Sequence, residues 1–227
     1  MEQWVERLTA ADDIDVLDVL DQVEGDLGPD AAGAVPALVR FLAHPHPHVR
    51  WAGARGLGAI GPPAEAAVSA LLAALADPEG PVRVSAAAAL AGIAPARPDV
   101  VRGFLRCLTD EEEDAAAEAG AGLARGLPAS LPPLVELLDS QDVGRRRAAA
   151  GALAEMQPAA GAAVPALVRA LADPDPWVRA RAAQGVAAHG PSAAPALPAM
   201  REVARSETDP VRRQVVELCI RAVEGPG

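Results

Sequence analysis

Val164-Pro165-Ala166-Leu167-Val168-Arg169-Ala170-Leu171-Ala172-Asp173-Pro174-Asp175-Pro176-Trp177-Val178-Arg179 reads as a helix, a broken turn and the start of a second helix. Val164, Leu167 and Leu171 fall at helical spacing, and Pro165 sits early, where a helix tolerates the missing amide donor. Asp173-Pro174-Asp175-Pro176 ends the run, because proline disfavours helical geometry in the residue before it and removes a donor. The closing Val-Arg pair recurs as Val49-Arg50, Val82-Arg83 and Val211-Arg212, at intervals of 33, 96 and 33 residues along the chain. The long interval resolves into two of 33 and one of 30, with anchors that have drifted to Ala115-Ala116 and Arg145-Arg146. A fixed period of this length marks a stack of similar units.

The unit from Ala34 to Gly61 shows the grammar. Val35, Leu38, Phe41 and Leu42 make one apolar stripe, His44-Pro45-His46-Pro47 breaks it, and Val49, Gly53, Leu57 and Ile60 make a second that stops at Gly61-Pro62. The same order predicts helix pairs over Val68 to Ala94, Val100 to Gly126, Leu131 to Gln157, Val164 to Gly190 and Leu197 to Gly225. Residues 1–33 read as a degenerate capping unit and 34–227 as about six helix pairs, all in one domain. The 30-residue interval removes three residues from the link around Leu127-Pro128-Ala129-Ser130, and a tighter link predicts unequal rotation there.

Composition agrees with an all-α chain. Hydrophobic residues are 51% but aromatics only 2%, so burial rests on Ala, Leu and Val, which let helices approach closely. Period-two runs of β-branched residues are missing, and no stretch has the roughly 18 apolar residues of a membrane span. The opening Met1-Glu2-Gln3-Trp4-Val5-Glu6-Arg7 lacks a signal-peptide pattern, so a cytoplasmic location is expected. Net charge is −11, with −9 in residues 1–33, −6 from Asp110 through Glu118 and about +4 in the remainder. An acidic chain is a poor clamp for nucleic acid, whose binding draws on clustered cations. Cys107 and Cys219 both fall at core positions and are not read as a disulfide.

The wording Pro36-Ala37-Leu38, His44-Pro45, Val49-Arg50 and Leu57-Gly58-Ala59-Ile60-Gly61, with the run from Val164 to Arg179, resembles the short HEAT-like repeats first noted in phycobilin lyases. The ankyrin Thr-Pro-Leu-His turn and the tetratricopeptide aromatic pattern are absent. The resemblance implies a right-handed α-solenoid of stacked antiparallel helix pairs whose second helices line the concave side. It also implies a ladder of acids and arginines tying neighbouring turns together. Its members here are Asp77, Asp173, Arg50, Arg83, Arg179 and Arg212, and forked guanidinium geometry suits that task.

Two slots of the second helices vary as solvent-facing positions do. One reads Trp51, Val84, Ala117, Arg147, Ala180, Arg213; the other, one turn on, reads Arg55, Ala88, Ala121, Gly151, Gln184, Glu217. On a concave side, Trp51, Arg55, Arg147 and Arg213 would face a partner, with Trp177 at the mouth of the same surface. Exposed Trp and Arg are frequent interface anchors, although each Trp could equally cover a turn against its neighbour. His44, His46 and His48 could hold a metal, but proline-stiffened turn residues with solvated imidazoles are the favoured reading. Asp110-Glu111-Glu112-Glu113-Asp114 reads as a solvated loop, or as a dock for a basic partner or divalent cation.

No nucleophile elbow, phosphate loop or HExxH occurs, and no cofactor is implied. The expectation is a monomeric scaffold that binds a protein or peptide. The alternative is a lyase- or isomerase-type enzyme, phycobilin-lyase-like or natural-product tailoring, acting on a substrate held in the groove.

Overall fold

Proline sets the rhythm of the structure. The computed structural model describes residues 29–108, 113–156 and 162–225. Twelve α-helices occur among these residues: α1 Val35–Phe41, α2 Pro47–Ile60, α3 Val68–Ala74, α4 Gly80–Ile93, α5 Pro98–Cys107, α6 Glu113–Arg125, α7 Leu131–Leu138, α8 Val143–Glu155, α9 Val164–Ala170, α10 Pro176–Ala187, α11 Leu197–Ser206 and α12 Pro210–Glu224. There is no strand among the described residues. Proline stands in the first two positions of α1, α2, α4, α5, α7, α9, α10, α11 and α12, where its fixed φ helps and its missing donor costs nothing. Gly61 closes α2 with φ 73°, a conformation that only glycine adopts without strain.

These pairs are the ones expected from the apolar stripes, and the protein is an α-solenoid of antiparallel helix pairs. Its chain gathers into two compact units, Met1–Gly126 and Leu127–Gly227, divided at the short link. The acidic segment 1–28 and the turn residues 109–112 lie outside the described residues, as do the side chains of the rest of the acid run and of Ala115, Ala116 and Ala117.

Successive second helices pack extensively on one another within each unit, α2 on α4 on α6 and α8 on α10 on α12. First helices such as α1, α3 and α9 have only seven residues, too few to hold helical structure alone, so their order derives from the stack. Leu38, Leu57, Ile60, Leu71, Leu90, Phe104 and Leu123 fill the core of the first unit, and Leu134, Leu153, Leu167 and Met200 that of the second. Alanine and glycine set the spacing. A Cβ on Gly53 would stand 2.9 Å from Phe41 Cβ, and one on Gly58 3.3 Å from Ala89 Cα, so α2 approaches both α1 and α4 backbone-close. Cys107 and Cys219 are buried free thiols, and burial pushes Cys219 up to about 11.

Candidate functional site

Among the described residues, the turns before α2, α4, α8, α10 and α12 share a repeated hydrogen-bond plan. Two residues before the helix cap stands an acceptor that takes the cap residue's amide. Asp77 takes the Glu79 amide at 3.0 Å, Asp173 that of Asp175 at 2.8 Å, and Glu207 that of Asp209 at 3.0 Å. Ser140 Oγ does this for Asp142 at 3.2 Å, and His44 Nδ1 for His46 at 3.1 Å. His44 therefore occupies an aspartate's place, with Nδ1 used as an acceptor rather than offered to a metal. The rings of His46 and His48 stand 5.1 Å apart, and the described residues contain no cluster of three metal-ligating side chains.

Four residues after the cap stands an arginine that ties the turn. Arg50 donates to the His44 and Pro45 carbonyls, Arg83 to those of Asp77 and Pro78, Arg146 to Ser140 and Gln141, and Arg179 to Asp173 and Pro174. The remaining nitrogens reach the next turn. Arg50 donates twice to Asp77, at 2.7 and 2.8 Å, and Arg146 twice to Asp173, at 2.8 and 3.3 Å. Arg179 lies 3.6 Å from Glu207. The Asp77 and Asp173 carboxylates thus bind the arginine of the preceding pair, while Arg83 and Arg179 hold their own turns through carbonyls. The turn after Arg83 lies outside the described residues.

The last pair departs from the expected register. Caps at His46 and Glu79, and at Asp142 and Asp175, are 33 residues apart, but Asp175 and Asp209 are 34 apart. One inserted residue moves the ladder position from Arg212 to Arg213, which donates to the Glu207 carbonyl at 3.0 and 2.6 Å as Arg179 does to that of Asp173. Arg213 is therefore a turn-tying residue and not a member of the outward slot, and Val211 is 68% exposed where Val49, Val82 and Val178 are buried. Gln214 and Leu218 take the two outward slots read as Arg213 and Glu217. Arg212 instead donates to Glu207 at 3.3 Å and places its guanidinium 5.7 Å from the Trp177 ring centroid. By the same shift Cys219 matches Gly56 rather than Leu57. The repeated Asp-Pro of Asp175-Pro176 and Asp209-Pro210, 34 residues apart, was the legible signal; the Val-Arg match at 33 was a coincidence.

The outward residues form two separate sets. In the first unit Arg55 stacks on half-buried Trp51, 4.5 Å from the ring centroid. In the second, Arg147 makes a fork to Asp175 at 3.0 and 2.5 Å, and Asp175 also accepts the Trp177 and Val178 amides, so one carboxylate fixes both Arg147 and the start of the Trp177 helix. Trp177 remains 51% exposed. A cavity of about 410 Å³ opens between α9 and α11, lined by Val168, Leu171, Arg179, Val203 and Ser206 among others; neither Trp51 nor Trp177 borders it.

These carboxylates titrate low. Burial alone would raise Asp77, but the Arg50 guanidinium and the Glu79 amide outweigh it and hold the group below the usual range. Burial opposes likewise at Glu207, where the Asp209 amide and Arg212 prevail. The Arg147 fork lowers Asp175 against its burial. A depressed folded-state value means stability that is complete above the unfolded carboxylate range and lost as pH falls through the folded value. Thermal midpoints are therefore expected to be level from pH 7 to about 5 and to fall below about 4. A midpoint that rises on acidification would contradict the pairing.

No helix among the described residues is long and apolar enough to cross a membrane. No curated protein matches the chain. Among solved structures, a designed armadillo repeat protein in complex with the peptide (KR)4 is 21% identical, with 82% of this chain and 98% of that chain covered and a TM-score of 0.53. Kap95p, from a complex with RanGDP, is 15% identical over 97% of this chain and 35% of its own, with a TM-score of 0.71. A family model for HEAT repeats matches residues 1–91, 68–154 and 131–221. With these matches running through both units and the helix pairs in the places they require, the chain belongs to the HEAT-repeat proteins.

Proposed function

We propose that this protein is a non-catalytic, monomeric, cytoplasmic adaptor that binds a protein or peptide on the outward faces of its second helices, without cofactor or metal. Trp177 carries the reading. An indole 51% exposed on a helix start, with its backbone pinned by Asp175 and its flank lined by Arg212, is a rigid anchor with half of its surface open. Close packing of second helices on one another is the arrangement expected of the inner side of a curved stack, although their greater length adds to it. Peptide binding by the designed armadillo protein and RanGDP binding by Kap95p support the reading by likeness of fold.

The test is affinity capture from the native source, followed by titration of the captured partner against variants. Trp177→Ala is expected to weaken binding by about 1–3 kcal/mol and to leave the thermal midpoint almost unchanged. Trp51→Ala tests the first unit in the same way. If Trp51→Ala melts the protein with no separate effect on binding, Trp51 is a packing residue and the first unit drops out of the interface. A partner whose affinity ignores both substitutions would defeat the proposal.

A further inference from the structure

The four large apolar side chains that stand exposed among the described residues, Val143, Trp177, Val211 and Leu218, all belong to the second unit and all lie on its second helices. Positions two, five, six and nine after a helix cap project to one side of a helix. Counted from Asp142, Asp175 and Asp209, these positions hold Trp177, Val211, Leu218, Arg147, Arg181 and Gln184, and otherwise Gly, Ala, Val or Gln. No carboxylate occupies any of them.

The neighbouring acids lie off these positions and take bonds of their own, although Asp142 stays exposed. Asp142 accepts the Arg145 amide, Asp209 accepts those of Val211 and Arg212 and lies 3.7 Å from the Arg212 guanidinium, and Asp175 is 10% exposed beneath Arg147. Glu217, exposed on α12 one residue before Leu218, is the acid closest in sequence to the set. Arg181, by contrast, is exposed and bonded only to the Gln184 side chain at 3.2 Å. A face of exposed apolar groups and cations is thus carried by a chain whose net charge is −11.

We infer that this face of the second unit binds an extended acidic peptide, with an aliphatic or aromatic residue set against Trp177 and Leu218 and a flanking carboxylate paired with Arg181. The inference rests on the proposed adaptor role and specifies the chemistry of the partner. Guanidinium and carboxylate form forked, charge-assisted bonds, and the apolar rows beside them let the peptide bury side chains. A basic ligand would meet no carboxylate at any of these positions, so the (KR)4 chemistry of the designed armadillo complex does not fit here.

The probes are two short fluorescent peptides, one alternating glutamate with leucine and one alternating lysine with leucine, titrated by anisotropy against the full chain. The glutamate peptide is expected to bind and the lysine peptide not to compete. Trp177→Ala should weaken binding about tenfold. Arg181→Glu should weaken it several-fold, and added salt should weaken it further. Leu218→Ser provides a second surface variant in case Trp177→Ala lowers the thermal midpoint. Equal or tighter binding of the lysine peptide, or indifference to Arg181→Glu, overturns the acidic assignment. Sensitivity of that binding to Trp177→Ala would still leave the face as a binding surface. Failure of both peptides also overturns the assignment, while the adaptor role is decided separately by the capture experiment.

Discussion

Phe104→Ala is expected to lower the unfolding free energy of the Met1–Gly126 unit by about 3–5 kcal/mol. Phe104 is fully buried on α5, and its ring lies where a side chain on Gly122 of α6 would be, since a Cβ there would fall 2.5 Å from Phe104 Cε2. Removing the ring leaves a void that Gly122, with no side chain, cannot fill, and close-packed alanine helices have little room to collapse. Denaturant unfolding followed by circular dichroism measures the loss. A change below about 1 kcal/mol would show that the stack closes around the void and that Phe104 is not its keystone.

Asp77→Ala should cost about 2–3 kcal/mol, less than a fully buried pair because the ends of the fork reach solvent. The Asp77 side chain is 8% exposed and that of Arg50 13%, and the carboxylate also holds the Glu79 amide. Its removal leaves the Arg50 guanidinium with only the His44 and Pro45 carbonyls. Asp77→Asn should recover part of the loss by keeping an acceptor for the amide. A double-mutant cycle with Arg50→Ala isolates the coupling between neighbouring turns. Additive losses would mean that Asp77 acts only within its own turn and that no ladder joins it to Arg50.

The helix pairs were legible because their signals are local. Pro36, Pro47, Pro165 and Pro176 mark helix starts, Gly61 marks a stop, and the 3.6-residue period of Leu and Val names the buried faces. Each unit buries what its own stripe presents, so reading one unit read most of them. Charged partners were another matter. The acid six residues before an arginine is near it in sequence, but only the stack shows that the Asp77 carboxylate is forked by Arg50, 27 residues away, while its carbonyl accepts from Arg83. The same limit hid the offset at the chain's end. A Val-Arg pair at the expected interval of 33 outweighed an Asp-Pro pair at 34, because a spacing rule has no knowledge of which residue starts the helix. The cap at Asp209 decides it, since its carboxylate takes the Val211 and Arg212 amides, and that choice turns Arg213 into the turn and brings Arg212 beside Trp177. Periodicity along the chain therefore determined which residues are helical and, before the shifted last pair, which are buried. Which arginine holds the structure and which stands on the outward face depended on a one-residue rotation, about 100° around a helix, that only the packed turns could set.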